Sequence, residues 1–230
     1  MDAALGDAWA RRVLLIVAGL VALLALAPAA PASAAEPLRG QWHMDAPGNA
    51  AQPDASGNGN PANPVGASFT FANDGRFGGA YRFPSETSYF SAGSSPQLQP
   101  ANVTVVAWVR RSGVPAAVKG IVSQGAAGGC SYSSYALYTG GSTNPNLKTR
   151  FYIFNGTTTV SSPPVPDSMW NGAWHMLAGT YDGATVRLYL DGAEVGPGTA
   201  AAGSIGYGLA RHNNLLVGGL DDPACFEQTN

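Results

Sequence analysis

The sequence predicts an all-β fold of hairpin-linked strands. Three observations point there. The 230 residues include 30 Gly and 17 Pro, too many turn formers for a helical protein yet below the level that signals disorder. Trp174–Gly192 holds two strand-like runs around Asp182-Gly183, and a second pair, Asp191-Gly192, closes the next turn. Asp-Gly suits hairpin turns because both residues tolerate positive φ. Within the second run Val186, Leu188 and Leu190 alternate with Arg187, Tyr189 and Asp191, which gives a strand with one dry and one wet face. The hydrophobic content of 45% supports one substantial core, and all-β sandwiches of this length are commonly single domains.

From the N-terminus, Met1–Ala35 reads as a secretory signal peptide. Arg11-Arg12 precede the apolar run Val13–Ala27, and Ala32-Ser33-Ala34 offers a small-residue cleavage site. The run is shorter than the roughly 20 residues needed to span a bilayer, so no stable membrane insertion is expected once the signal is removed. Residues 36–230 are then the folded domain, and the expected location is extracellular. Formal net charge is −2, and the only Lys/Arg pairs are Arg11-Arg12 and Arg110-Arg111. Nucleic acid and acidic membranes lack the basic footprint they need.

Leu38–Met44 reads as a short strand. The following loop, Asp45–Gly66, contains Asp54-Ala55-Ser56-Gly57-Asn58-Gly59-Asn60. Oxygen-bearing side chains at alternate positions can wrap a hard cation such as calcium, which makes Asp54, Asn58 and Asn60 candidate ligands. A calcium loop of this spacing carries a bidentate Glu at its twelfth position, where this chain has Val65. The same residue types also make ordinary polar turns.

Strands are expected at Phe69–Phe71, Phe77–Phe83 and Tyr89-Phe90, with their aromatic residues in the core. Val103–Arg110 is the strongest strand: Val103, Val105, Ala107 and Val109 share one face, and Thr104, Val106, Trp108 and Arg110 the other. Apolar residues on both faces predict a central strand of a sandwich. Ile121–Gln124, Ser134–Tyr138 and Thr149–Phe154 follow. Tyr132, Tyr135, Tyr138 and Tyr152 form a dense aromatic set that serves either as a glycan platform or as ordinary sheet packing, with packing favoured. Pro163–Pro166 is a rigid connector before Met169-Trp170. Beyond the hairpin region come a glycine-rich loop, 203–209, a strand at Leu215–Gly219 and a turn at Asp221–Cys225.

The pattern Trp174-His175-x-x-Ala178-x-Thr180-Tyr181-Asp182-Gly183, followed by Leu188-Tyr189-x-Asp191-Gly192, resembles the signature of laminin-G-like jelly-roll domains of the concanavalin-A-like superfamily. Phe77-Gly78-x-Ala80 and the Asp54–Asn60 loop are similar to further parts of that family. The resemblance implies a two-sheet antiparallel jelly-roll sandwich and, usually, a binding role. It implies that the Asp54 loop lies close to a bound calcium, with Asp221 and Asp222 of a late loop as added oxygen ligands. Related domains continue into a final strand that this sequence lacks after Phe226. A C-terminally truncated domain with an exposed sheet edge and a weakened core is therefore expected.

Cys130 and Cys225 are the only cysteines. In a secreted chain a pair favours one disulfide, closing a loop of about 95 residues and stabilising by roughly 4–5 kcal/mol in the chain-entropy model. Two free or intermolecular thiols are the alternative. The same two positions resemble a cysteine pair of a bacterial branch of the family.

No Cys-x-x-Cys, His-Glu-x-x-His, Gly-x-Ser-x-Gly or phosphate-loop motif is present. Glu36, Glu86, Glu194 and Glu227 are widely separated, whereas glycoside cleavage needs a paired acid and base. The expectation is a secreted, non-catalytic module that binds an extracellular glycan or protein. Tyr132 and Trp170 are the candidate stacking residues, and calcium is the candidate cofactor. A structural or adhesive module without sugar specificity is the alternative, and a hydrolase of the glucanase class ranks last.

Overall fold

The computed structural model describes residues 37–67, 69–84, 88–127, 133–142, 147–208 and 210–219. Leu38–Asn230 forms one unit and Met1–Pro37 another. The signal segment 1–35, Cys130, Tyr132, Asp221, Asp222, Cys225 and the chain end lie outside the described residues.

The first four strands are short: β1 (Asn63–Val65), β2 (Thr70–Gly75), β3 (Gly78–Arg82) and β4 (Tyr89–Ser91). The long strand β5 (Val103–Ser112) leads to β6 (Gly120–Ala127), β7 (Tyr135–Tyr138), β8 (Arg150–Phe154) and β9 (Thr159–Ser161). The organising hairpin is β10 (Asn171–Tyr181) and β11 (Thr185–Leu190). It is followed by β12 (Ala193–Glu194), β13 (Thr199–Ala200) and β14 (Ala210–Val217). The larger sheet runs β1-β4-β14-β6-β7-β8-β9. The smaller runs β12-β11-β10-β5 with β13 beside β11, and β2-β3 stands as a separate ribbon. All pairings are antiparallel.

The two large sheets pack face to face, as their alternation requires. Val103, Val105, Leu177, Tyr181, Val186 and Leu188 point inward from the smaller sheet. Phe90, Val122, Tyr135, Leu137, Phe151, Ile153 and Leu215 meet them from the larger. Each such fully buried aliphatic or aromatic side chain stabilises by about 1.5–3 kcal/mol. The hairpin turns are made as the Asp-Gly chemistry predicts. Asp191 and Gly192 both take positive φ, 52° and 87°. At the first turn only Gly183 does, and Asp182 Oδ1 instead accepts the amides of Ala184 at 2.9 Å and Thr185 at 2.8 Å.

Two strand expectations are corrected. Leu38–Met44 is not a strand. Its polar groups find partners in the 54–60 loop: Gln41 N–H donates to Asp54 Oδ1 at 3.0 Å, and Trp42 Nε1–H donates to the Asn60 carbonyl at 2.8 Å. Those contacts stand where a ladder would. The second correction concerns β5, which ends the smaller sheet. It pairs with β10 on one side, and among the described residues no strand pairs with the other. Its outer face is also left open, with Val106 exposed at 53% and Trp108 at 37%.

Candidate functional site

The loop at Asp54 is built by hydrogen bonds among its own residues and Leu38–Trp42. Asp54 Oδ1 accepts the amide of Gln41 at 3.0 Å, the amide of Ser56 at 2.9 Å and the Ser56 hydroxyl at 2.6 Å. Its Oδ2 accepts the amide of Asn60 at 3.0 Å. Burial works against ionisation here, but the hydrogen bonds from Ser56, Gln41 and Asn60 together hold the carboxyl below the usual range. Asn58 turns its amide nitrogen to the carbonyl of Leu38 at 2.7 Å and of Arg39 at 3.3 Å. Asn60 donates to the Arg39 carbonyl and to Gln97 Oε1. The structure thus brings Asp54, Asn58 and Asn60 together, but as a turn in which the Asp54 oxygens already accept N–H groups and the two Asn side chains direct their amide nitrogens to the backbone carbonyls of Leu38 and Arg39. Among the described residues no three His, Cys, Asp or Glu are placed to hold a metal ion. These residues fit a self-satisfied turn better than an open oxygen cage for calcium.

Trp170 is corrected as a stacking residue. It follows the 3₁₀ turn Asp167–Met169, is only 6% exposed and packs in the core beside Met169, while its carbonyl accepts the Gly113 amide at 2.8 Å. No face of its indole is open to a ligand. Of the tyrosine set, Tyr135 and Tyr152 are buried. The Tyr135 hydroxyl donates to the Leu98 carbonyl at 3.0 Å, and Tyr152 Oη accepts the Ser133 amide at 3.1 Å. Tyr138 packs edge-on to Tyr152 at 5.5 Å. These three are packing residues.

The exposed aromatic surface lies elsewhere, on the outer face of the smaller sheet. The register sets Met176 opposite Trp108, and Trp174 opposite Arg110, so their side chains share that face. The β2–β3 ribbon closes over it with the two-residue turn Arg76-Phe77. Gly75 pairs with Gly78, whose φ of 116° lets a turn of two negative-φ residues close the hairpin. Phe77, 68% exposed, meets Trp108 edge-on with centroids 5.4 Å apart at 86°. The Arg76 guanidinium sits 4.9 Å from the Phe77 centroid and 5.1 Å from that of Trp108. Arg110 lies 4.9 Å over Trp174.

Asp74 fastens the ribbon down. Its carboxylate pairs with Arg110 and, at 3.6 Å, with Arg82, and its carbonyl accepts Trp174 Nε1–H at 3.3 Å. The Arg110 hydrogen bond holds the Asp74 carboxyl below the usual carboxylate range. The result is an aromatic platform with ionic groups along its rim. The sequence pattern predicts Phe77 in the core and Trp108 in a central strand; the structure instead exposes Phe77 and sets Trp108 on the strand that ends the smaller sheet. The available signal was Trp108 in the same alternating set as Thr104 and Arg110, which marks a wet face.

A family model described as the concanavalin A-like lectin/glucanases superfamily, Laminin_G_3, matches residues 84–225, more than half of the chain. The chain belongs to this family. No curated protein matches it. Among solved structures it is similar to domain 4 of AbnA, a GH43 extracellular arabinanase from Geobacillus stearothermophilus, in complex with arabinotriose. The TM-score is 0.50 at 16% identity, over 74% of this chain and 80% of that one. It is also similar to Trypanosoma rangeli sialidase in complex with sialic acid, with TM-score 0.52 and 14% identity over 96% of this chain. The same sialidase with the inhibitor DANA gives 0.50 and 15%. This chain covers 35% of each sialidase chain. At these identities the likeness establishes the sandwich fold. Among the described residues no helix is long and apolar enough to cross a membrane.

Proposed function

We propose that this protein is a secreted, non-catalytic carbohydrate-binding module, and that the Phe77–Trp108 platform is its ligand site. The observation that carries the reading is the pairing of two exposed aromatic rings with polar groups in reach of the same ligand. A sugar ring presents C–H groups to an aromatic face and hydroxyls to the surrounding charges, so such a surface suits it. Secretion is supported by the Met1–Ala35 pattern. The saccharide-bound domain of the extracellular arabinanase makes arabino-oligosaccharides reasonable first probes.

A non-catalytic role is supported by the sequence, in which Glu36, Glu86, Glu194 and Glu227 are widely separated and none heads the paired acid-and-base motif that glycoside cleavage needs. The test is a glycan array probed with the wild-type protein and with Trp108→Ala. Binding by the wild type and loss in the variant supports the reading. Equal signals from both proteins would move the site away from this face.

A further inference from the structure

We infer that the platform selects acidic saccharides, those bearing a uronic-acid carboxylate, through Arg76. This rests on the platform being the ligand site. Arg82 and Arg110 are both engaged by Asp74. Arg76 is placed differently: it is exposed, its guanidinium lies against the rings of Phe77 and Trp108, and among the described residues it makes no ion pair. The two rings hold the guanidinium by cation–π attraction without using its N–H groups. What remains open is a planar fork of donors, the shape that matches a carboxylate with two parallel hydrogen bonds.

The surroundings agree in sign. Arg110 follows Trp108 by two residues on the same strand face, about 7 Å along β5. Three guanidiniums, of Arg76, Arg82 and Arg110, gather where the nearby carboxylates are Asp74 and, beside Gly78 and Gly79 of the ribbon, Asp45. The face is locally positive on a chain whose formal net charge is −2. A stacked sugar ring with a carboxylate at its edge meets the aromatic surface and the fork together. A neutral ring meets the aromatic surface alone.

Isothermal titration with an oligogalacturonate and with the same oligosaccharide after chemical reduction of its carboxyl groups separates the two contributions. At low ionic strength the acidic form is expected to bind about tenfold tighter, the range of one charge-assisted pair. Added salt should erase the difference. Arg76→Gln should bring the acidic form down to the affinity of the reduced one, and Trp108→Ala should weaken both. Equal affinity for the two forms, or a preference that survives in Arg76→Gln, would overturn the role of Arg76 while leaving the platform in place. Binding of neither form, together with no binding of neutral arabino-oligosaccharides, would instead remove the platform as a sugar site. Arg76 sits on an exposed turn, so matched melting temperatures of the variant and wild type verify that the fold is intact.

Discussion

Phe77 and Trp108, thirty-one residues apart in sequence, meet edge-to-face at 5.4 Å on the outside of the molecule. An exposed aromatic pair of this kind adds only about 0.5–1.5 kcal/mol beyond its buried area. Its loss should therefore affect binding more than folding. Phe77→Ala is expected to lower the melting temperature by a few degrees at most and to weaken saccharide binding about tenfold or more. Calorimetric titration and thermal melting on the same sample check both halves.

Gly179 of β10 sits under Phe151 of the opposite sheet. A methyl group there would lie 2.2 Å from Phe151 Cγ and 2.7 Å from its Cβ, too close for either sheet to accommodate without moving. Gly179→Ala is expected to destabilise by about 1–3 kcal/mol or more, as overpacking of a tight core does. Denaturant midpoints measure it, and an unchanged midpoint would show that the sheets can part at that point.

The Asp54 turn should make stability depend on acid. Its carboxyl titrates below the usual carboxylate range in the folded chain, because the hydrogen bonds from Ser56, Gln41 and Asn60 outweigh the opposing effect of burial. The folded state then binds fewer protons than the unfolded one, so the contribution is full above about pH 4 and is lost as pH falls through the folded value. Asp54→Ala should cost about 1–3 kcal/mol at pH 7 and less at pH 3. Urea titrations of both proteins at the two pH values give the difference.

Calcium is expected to leave the melting temperature unchanged relative to chelator, since the oxygens of Asp54 and the carbonyls of Leu38 and Arg39 already accept N–H donors. A ligand of the native state would raise melting by mass action. A rise that disappears in Asp54→Ala would place an ion in this loop and require Asn58 and Asn60 to turn their oxygens inward.

Local chemistry was legible and distant pairing was not. Asp191-Gly192 could be read as a turn because the residues that define it are adjacent, and both take the expected positive φ. Val186 and Leu188 could be assigned to the core because period-two alternation fixes the face. For Trp108 alternation identified the face but not its cover. The position of β5 at the end of its sheet depends on which strands pair with it, and that is decided far along the chain. The Asp54 oxygens were visible as a cluster, yet their donor at Gln41 is thirteen residues away in a segment that reads as a strand. Trp170 followed the same logic: its burial comes from core neighbours distant in sequence, and Gly113, just past the end of β5, donates its N–H to the Trp170 carbonyl.

The most direct test of the account is a side-by-side calorimetric titration of wild type, Trp108→Ala and Tyr132→Ala with the saccharide that binds the wild type best. The account predicts that Trp108→Ala weakens binding by tenfold or more, in the range of about 1–3 kcal/mol for a stacking contact, and that Tyr132→Ala binds as the wild type does. Undiminished binding by Trp108→Ala, with loss in Tyr132→Ala, would contradict it and move the site to Tyr132.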